Sequence, residues 1–118
     1  MQADYSEIEK LEKIYMAKNK ELGEMVDSLP ELAEAKAQSK MEYEKAVTVE
    51  TLRLEEGKEH SITLIPNLVK GKVAEKKMMA SIHKANYKAC YAKIKALHTN
   101  IDTCQSLLST ARAKINLR

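Results

Sequence analysis

Four side chains able to bind a metal or attack a substrate lie within one stretch of the sequence: His83, Cys90, His98 and Cys104. Zinc needs four such groups converging on a point, and short spacings such as CxxC or HxxxH bring them there. Here successive candidates are seven, eight and six residues apart in a segment that reads as one helix, so they spread along it. Cys90 and Cys104 would be about 21 Å apart at ~1.5 Å per residue, too far to form a disulfide with each other. Both are expected to be reduced thiols packed as small hydrophobes. Nucleophilic catalysis finds no support either. Asp102 is the one acid within two turns of His98 or Cys104, and no glycine loop presents a nucleophile. Glu55 and Glu56 are neighbours whose carboxylates diverge on a helix. Gly71-Lys72 lacks the upstream glycine of a phosphate-binding loop. No enzyme activity, cofactor or metal is expected.

Lysines offer the remaining chemistry. Lys77, Lys84, Lys88 and Lys95, with Arg112, form a discontinuous basic ribbon along the same helix, and Lys70, Lys72, Lys76 and Lys77 cluster at its start. Such residues can neutralise phosphates with a salt-dependent affinity. Cations at a helix start oppose the dipole, so the cluster is the best local candidate for an anion contact. Tyr87 and Tyr91 are the aromatics interleaved with the ribbon, and Tyr87 belongs to the helix seam. The preferred expectation is that the ribbon answers Glu31, Glu34, Glu42 and Glu44 on a facing acidic helix.

The seam is set by Val73, Ala80, Tyr87, Ile94, Ile101, Leu108 and Ile115, one every seven residues, with neither Gly nor Pro between them. Calling these positions a puts Lys76, His83, Cys90, Leu97, Cys104 and Ala111 at d, a softer edge. A helix of this length extends roughly 65 Å, so its stripe needs an equally long partner. Opposite the seam, Ala85, Ala89, Ala92, Ala96, Thr99, Thr103, Ser106, Thr110 and Ala113 form a strip of small residues that would admit a second helix.

Composition agrees with a helical chain. The 118 residues are 31% charged and 44% apolar, with five Tyr, no Phe or Trp, three Gly and two Pro. Charge is divided along the chain. Residues 1–57 hold eight Lys/Arg against fourteen Asp/Glu, a net −6, and residues 58–118 hold twelve against three, a net +9. Opposite halves suit antiparallel helices.

The first half carries its own heptad, with Ile8, Tyr15, Leu22 and Leu29 at one position and Leu11, Lys18, Met25 and Leu32 at the other. Asp4 or Ser6 is expected to cap its start. A kink or break is expected at residues 28–30, where Ser28 and Glu31 have capping-box spacing around Pro30. Beyond it, Leu32, Ala33, Ala37, Met41 and Val47 make a thin apolar face. The stretch from Val47 to Ile65 fits either a β-hairpin turning at Glu56-Gly57-Lys58 or a helix ending at Gly57 as a left-handed cap. The helical form is preferred, followed by a short helix capped by Ser61 or Thr63, carrying Pro66 in its first turn and ending at Gly71.

Ser61-Ile62-Thr63-Leu64-Ile65-Pro66-Asn67-Leu68-Val69-Lys70-Gly71-Lys72-Val73-Ala74, preceded by Leu52-Arg53-Leu54 and Gly57 and followed by Tyr87-Lys88, resembles a segment of small uncharacterised coiled-coil proteins encoded by tailed phages and prophages, often near replication and recombination genes. The resemblance covers roughly residues 50–115. It departs from those proteins at Lys72, where they commonly carry an acid, and at the plain Ile115-Asn116-Leu117-Arg118 end. It implies a phage accessory protein shaped as a helical hairpin, with no catalytic residues to carry over.

The sequence thus predicts an all-α, elongated helical hairpin in a single domain. Residues 1–56 form an acidic arm broken near 28–30, residues 57–71 a connector, and residues 72–117 the long basic helix. The expected function is a non-enzymatic protein-interaction module, a phage accessory factor acting on a host or phage protein. A nucleic-acid-binding accessory protein and a structural coiled-coil subunit are the alternatives. A protein partner and a homodimer or higher oligomer are expected. The start of the sequence lacks a basic n-region and an apolar h-region, and no apolar run reaches membrane-spanning length, so a cytoplasmic location is expected, in the host cell if phage-encoded.

Overall fold

The computed structural model describes residues 5–117. They form three α-helices, α1 (Tyr5–Gly57), α2 (Ile65–Lys72) and α3 (Ala74–Asn116), with no strand among the described residues. The protein is all-α, and residues 47–54 are helical, so the β-hairpin alternative is excluded. No helix among the described residues is long and apolar enough to cross a membrane.

The chain divides into two compact units, one joining residues 1–29 to 89–118 and the other formed by Pro30–Lys88. In the first unit, α1 and α3 lie antiparallel, as the paired contacts Glu12 with Arg112, Tyr15 with Gln105 and Glu21 with Lys93 show. The α3 face turned to α1 consists of Cys90, Ile94, Leu97, Ile101, Cys104, Leu108 and Ala111, all buried, with Leu97 only 1% exposed. These alternate steps of three and four residues, the spacing that keeps one stripe on a partner helix. Ile8 is buried against Cys104, Leu108 and Ala111, and Leu11, Tyr15 and Ile115 close around them. The d edge is as well covered here as the a edge, because thiols and a methyl fit where the backbones come close. Cys104 Sγ donates to the Leu11 carbonyl at 3.2 Å, and Cys90 Sγ to the Met25 carbonyl at 3.5 Å. The two thiols are fourteen residues apart, and so are their acceptors, so the same packing recurs after two heptads.

The second unit has a different interior. Ile65, Val69 and Val73, four residues apart, are buried against Tyr43, Ala46, Val47 and Leu54 of α1. Further along its seam Ala80, His83 and Tyr87 are only half-buried, and Lys76 is exposed. On α1 the heptad counted from Ile8 places Lys36 and Tyr43 at one position and Ser39 and Ala46 at the other. Ser39 is buried with its Oγ donating to the Lys36 carbonyl at 3.1 Å. The apolar face expected from Ala37 and Met41 is corrected, because both are exposed. The register runs on unchanged and sets Lys36 and Ser39 inward in their place.

Several expected helix ends are also corrected. α1 runs through residues 28–30 as one uninterrupted helix, and the boundary between the two compact units falls there, between Leu29 and Pro30. Pro30 lies on the exposed face, and the carbonyl it leaves without a donor belongs to Val26, also exposed, where water can satisfy it. Ser28 Oγ donates back to the Met25 carbonyl and starts no new helix. Asp4, one candidate cap, lies outside the described residues. At the far end of α1 the left-handed residue is Lys58, with φ of 52°, and not Gly57. Ser61 and Thr63 hydroxyls sit 3.1 Å from each other, and the α2 N-cap is Leu64, without a side-chain cap. Pro66 is in the first turn as expected, but Gly71 lies inside α2. Val73 alone separates α2 from α3, so the long helix begins at Ala74 and not at residue 72. Its amide still bonds the Val69 carbonyl at 3.0 Å while its side chain is buried, which ties the corner to the core.

The small-residue strip from Ala85 to Ala113 is exposed along its whole length, so no third layer covers it among the described residues. Thr99, Thr103 and Thr110 turn their hydroxyls onto carbonyls four residues back. Leu97→Ala is expected to lower stability by about 2–5 kcal/mol, and Ala92→Ser, on the strip, by well under 1 kcal/mol. Urea unfolding of the two variants checks this, and similar losses would contradict the assignment of faces.

Candidate functional site

In unit Pro30–Lys88 the half-covered seam leaves a groove on each side. One groove holds about 370 Å³ and is lined by Lys36 and Lys40 of α1 and Lys77 and Lys84 of α3, with Tyr43 and Ala80 at its floor. Glu44 is its one carboxylate, 4.0 Å from Lys40 Nζ. Lys36 is held in place by the Tyr87 ring, its Nζ 4.6 Å from the centroid. Lys40 occupies the flanking position next to Lys36 on α1, and Lys77 and Lys84 the equivalent flank on α3. Positions that meet across an antiparallel pair usually carry opposite charges. Here they carry the same one.

The opposite groove is mixed, with Lys76, Glu42, Glu75 and His83 around Ser39. At the end of the same unit, an apolar groove of about 350 Å³ runs between α1 and α2 past Tyr43, Val47, Ile65, Pro66 and Val69, with Ile62 at its rim and Lys70 and Glu55 beside it. Ile62 is 84% exposed. Tyr43 is a wall common to the apolar and the basic groove.

The structure therefore distributes the seven lysines singled out in the sequence. Lys77 and Lys84 share the basic groove, Lys70 borders the apolar one, and Lys76 faces the mixed one. Lys72 sits with Arg53, Glu59 and His60 at the end of α1. Lys88 is exposed, and Lys95, in the other unit, lies 4.9 Å over Tyr91, four residues earlier on its own helix. Lys70 and Lys72 occupy the last turn of α2, where positive charge complements the dipole, so they do not oppose it as the sequence implied. The seam residues Val73, Ile94, Leu97, Ile101 and Leu108 are buried, and Ala80, Tyr87 and Ile115 half-buried.

The facing acids are corrected too. Among the described residues, Lys77, Lys84, Lys88 and Lys95 make no ion pair with Glu31, Glu34, Glu42 or Glu44. Pairs between helices do form in the first unit, Lys93 with Glu21 at 3.1 Å and Arg112 with Glu12 at 2.9 Å. The groove's missed members, Lys36 and Lys40, lie in the acidic half, where net charge hides them; extending the Ile8 heptad past Pro30 places Lys36 in the seam and Lys40 beside it. Of the residues tested for metal chemistry, Cys90 and Cys104 point at α1 carbonyls, and no group of three or more His, Cys, Asp or Glu converges among the described residues. The arrangement can attract and hold anions, and its apolar extension can hold a hydrocarbon side chain.

No known protein family matches the chain, and no curated protein or solved structure matches it either.

Since Lys77 and Lys84 support no ion pair, the double change to Gln is expected to leave the thermal midpoint unchanged or slightly raised. Arg112→Gln is expected to lower stability by up to ~1 kcal/mol. Thermal unfolding at low salt checks both. A clear drop in the lysine double variant would show that these residues hold the helices together.

Proposed function

We propose that the chain is a non-enzymatic protein-interaction module. The observation that carries this reading is the open apolar groove at the α1–α2 end, with Ile62 exposed at its rim and Ile65, Pro66 and Val69 along its wall. A large aliphatic side chain held in water beside an unfilled groove contributes little to folding, and such surfaces mark places where another molecule docks. Met41, Val49, Leu52, Met78, Met79 and Ile82 of the same unit are exposed as well and favour self-association as a dimer or higher oligomer. With the resemblance over residues 50–115, the proposal extends to a phage accessory factor that binds and modulates a host or phage protein.

Nucleic-acid binding is the second reading, favoured by the four lysines of the basic groove. It ranks lower because the groove continues into an apolar surface that a sugar-phosphate backbone cannot use, and because Tyr87 already receives Lys36 on its ring.

Ile62→Glu tests the first reading. At so exposed a position it is expected to change stability by no more than about 0.5 kcal/mol. Affinity capture from a host-cell extract, with nucleic acid digested, is expected to yield a protein with the unmodified chain that the variant loses. Equal capture by both would contradict the proposal.

A further inference from the structure

We infer that the basic groove and its apolar extension together form one docking site for an acidic helical segment of a partner protein, anchored by an apolar residue. The inference rests on the interaction-module reading and names the chemistry of its ligand.

The argument begins with a conflict inside the fold. Helices that need only each other gain from opposite charges at flanking positions, and the first unit does this with Glu12 and Arg112 and with Glu21 and Lys93. Unit Pro30–Lys88 instead gathers Lys36, Lys40, Lys77 and Lys84 around one groove with Glu44 as the single opposing charge. Glu44 is 4.0 Å from Lys40, on its own helix, and leaves the α3 lysines unanswered. Like charges brought together raise the energy of the folded chain unless an anion neutralises them, and where local rules are broken without a folding gain a ligand is the usual cause.

The neighbouring surface selects the kind of anion. Tyr43 borders both grooves, so the lysines are followed along one side of the unit by Val47, Ile65 and Val69. A ligand lying along both must offer carboxylates at one end and a hydrocarbon group at the other. From Ala74 to Lys84 α3 rises about 15 Å at ~1.5 Å per residue, nearly three turns of an approaching helix. An amphipathic helix with one Leu or Ile followed by Glu or Asp at spacings of three and four residues supplies both features on one face. Lys36, already fixed over Tyr87, lacks the free motion of a solvated lysine and loses less entropy on pairing.

The test uses the full chain and a synthetic, fluorescein-labelled helical peptide of about 18 residues, with Leu near one end and Glu at every third and fourth position after it. Binding by fluorescence anisotropy is expected at roughly 0.15 M salt and should weaken as salt rises. The triple change Lys40→Gln, Lys77→Gln and Lys84→Gln is expected to reduce affinity at least about tenfold. Changing Lys10, Lys13 and Lys114 to Gln, which removes the same charge elsewhere, should alter it less than about twofold, and both variants should keep the circular dichroism of the parent. A peptide with Ser in place of its Leu should bind more weakly. Absence of peptide binding, equal losses in the two triple variants, or stronger binding of a single-stranded oligo-dT that displaces the peptide would each overturn the inference. A captured protein that depends on Ile62 but not on the three lysines would also overturn it while leaving the interaction-module reading intact. Capture indifferent to Ile62 would remove that reading itself.

Discussion

A stripe of apolar side chains repeating every seven residues along a helix without Gly or Pro can leave water in only one economical way, against another helix that keeps the same repeat. That constraint governs both units. In the first it is met fully, from Cys90 to Ala111 on α3 and by Ile8, Leu11 and Tyr15 on α1. The small d residues allow thiols to reach backbone carbonyls, and ion pairs of opposite sign close the edges. A groove of about 460 Å³ remains beside this seam, lined by Glu12, Tyr15, Met16, Gln105, Leu108, Ser109 and Arg112.

In unit Pro30–Lys88 the same register is filled with different chemistry. Lys36, Ser39 and His83 stand where Leu or Ile would bury most surface, and burial is concentrated at Ile65, Val69 and Val73. Beside this thinner seam lies the groove that gathers Lys36, Lys40, Lys77 and Lys84. Burial along α3 is thus dense from Cys90 to Ala111 and sparse from Lys76 to Tyr87. Ile62 and Lys84 are both exposed, so substitutions there remove little of the buried surface that holds the fold.

The α3 seam was legible in the sequence because hydrophobic periodicity is a direct image of burial, and every a or d residue from Cys90 to Ala111 lies buried. The all-α class followed from the same signal. The ends were less legible. Pro30 suggested a boundary because its effect on a helix depends on whether water reaches the carbonyl behind it, which the sequence does not display. Propensity alone favours Gly57 for the left-handed position, yet the chain turns one residue later, at Lys58. The groove was half visible. Lys77 and Lys84 flank a clear heptad, whereas Lys36 and Lys40 lie among acidic neighbours and next to an apparent apolar face through Ala37 and Met41. Which lysines share a groove depends on how α1 and α3 are paired, and pairing is a property of two segments that no single segment reveals.

Reactivity of Cys90 and Cys104 with a thiol reagent in the native protein reports most directly on the packing from which everything else follows. Both thiols are buried at d positions and aimed at α1. They should react only through opening of the helix pair, on the order of a thousandfold or more slower than in the urea-unfolded chain, and at matched rates because one cooperative unit holds them. Immediate reaction of either thiol without denaturant would contradict the account, since α3 would then present a different face to α1.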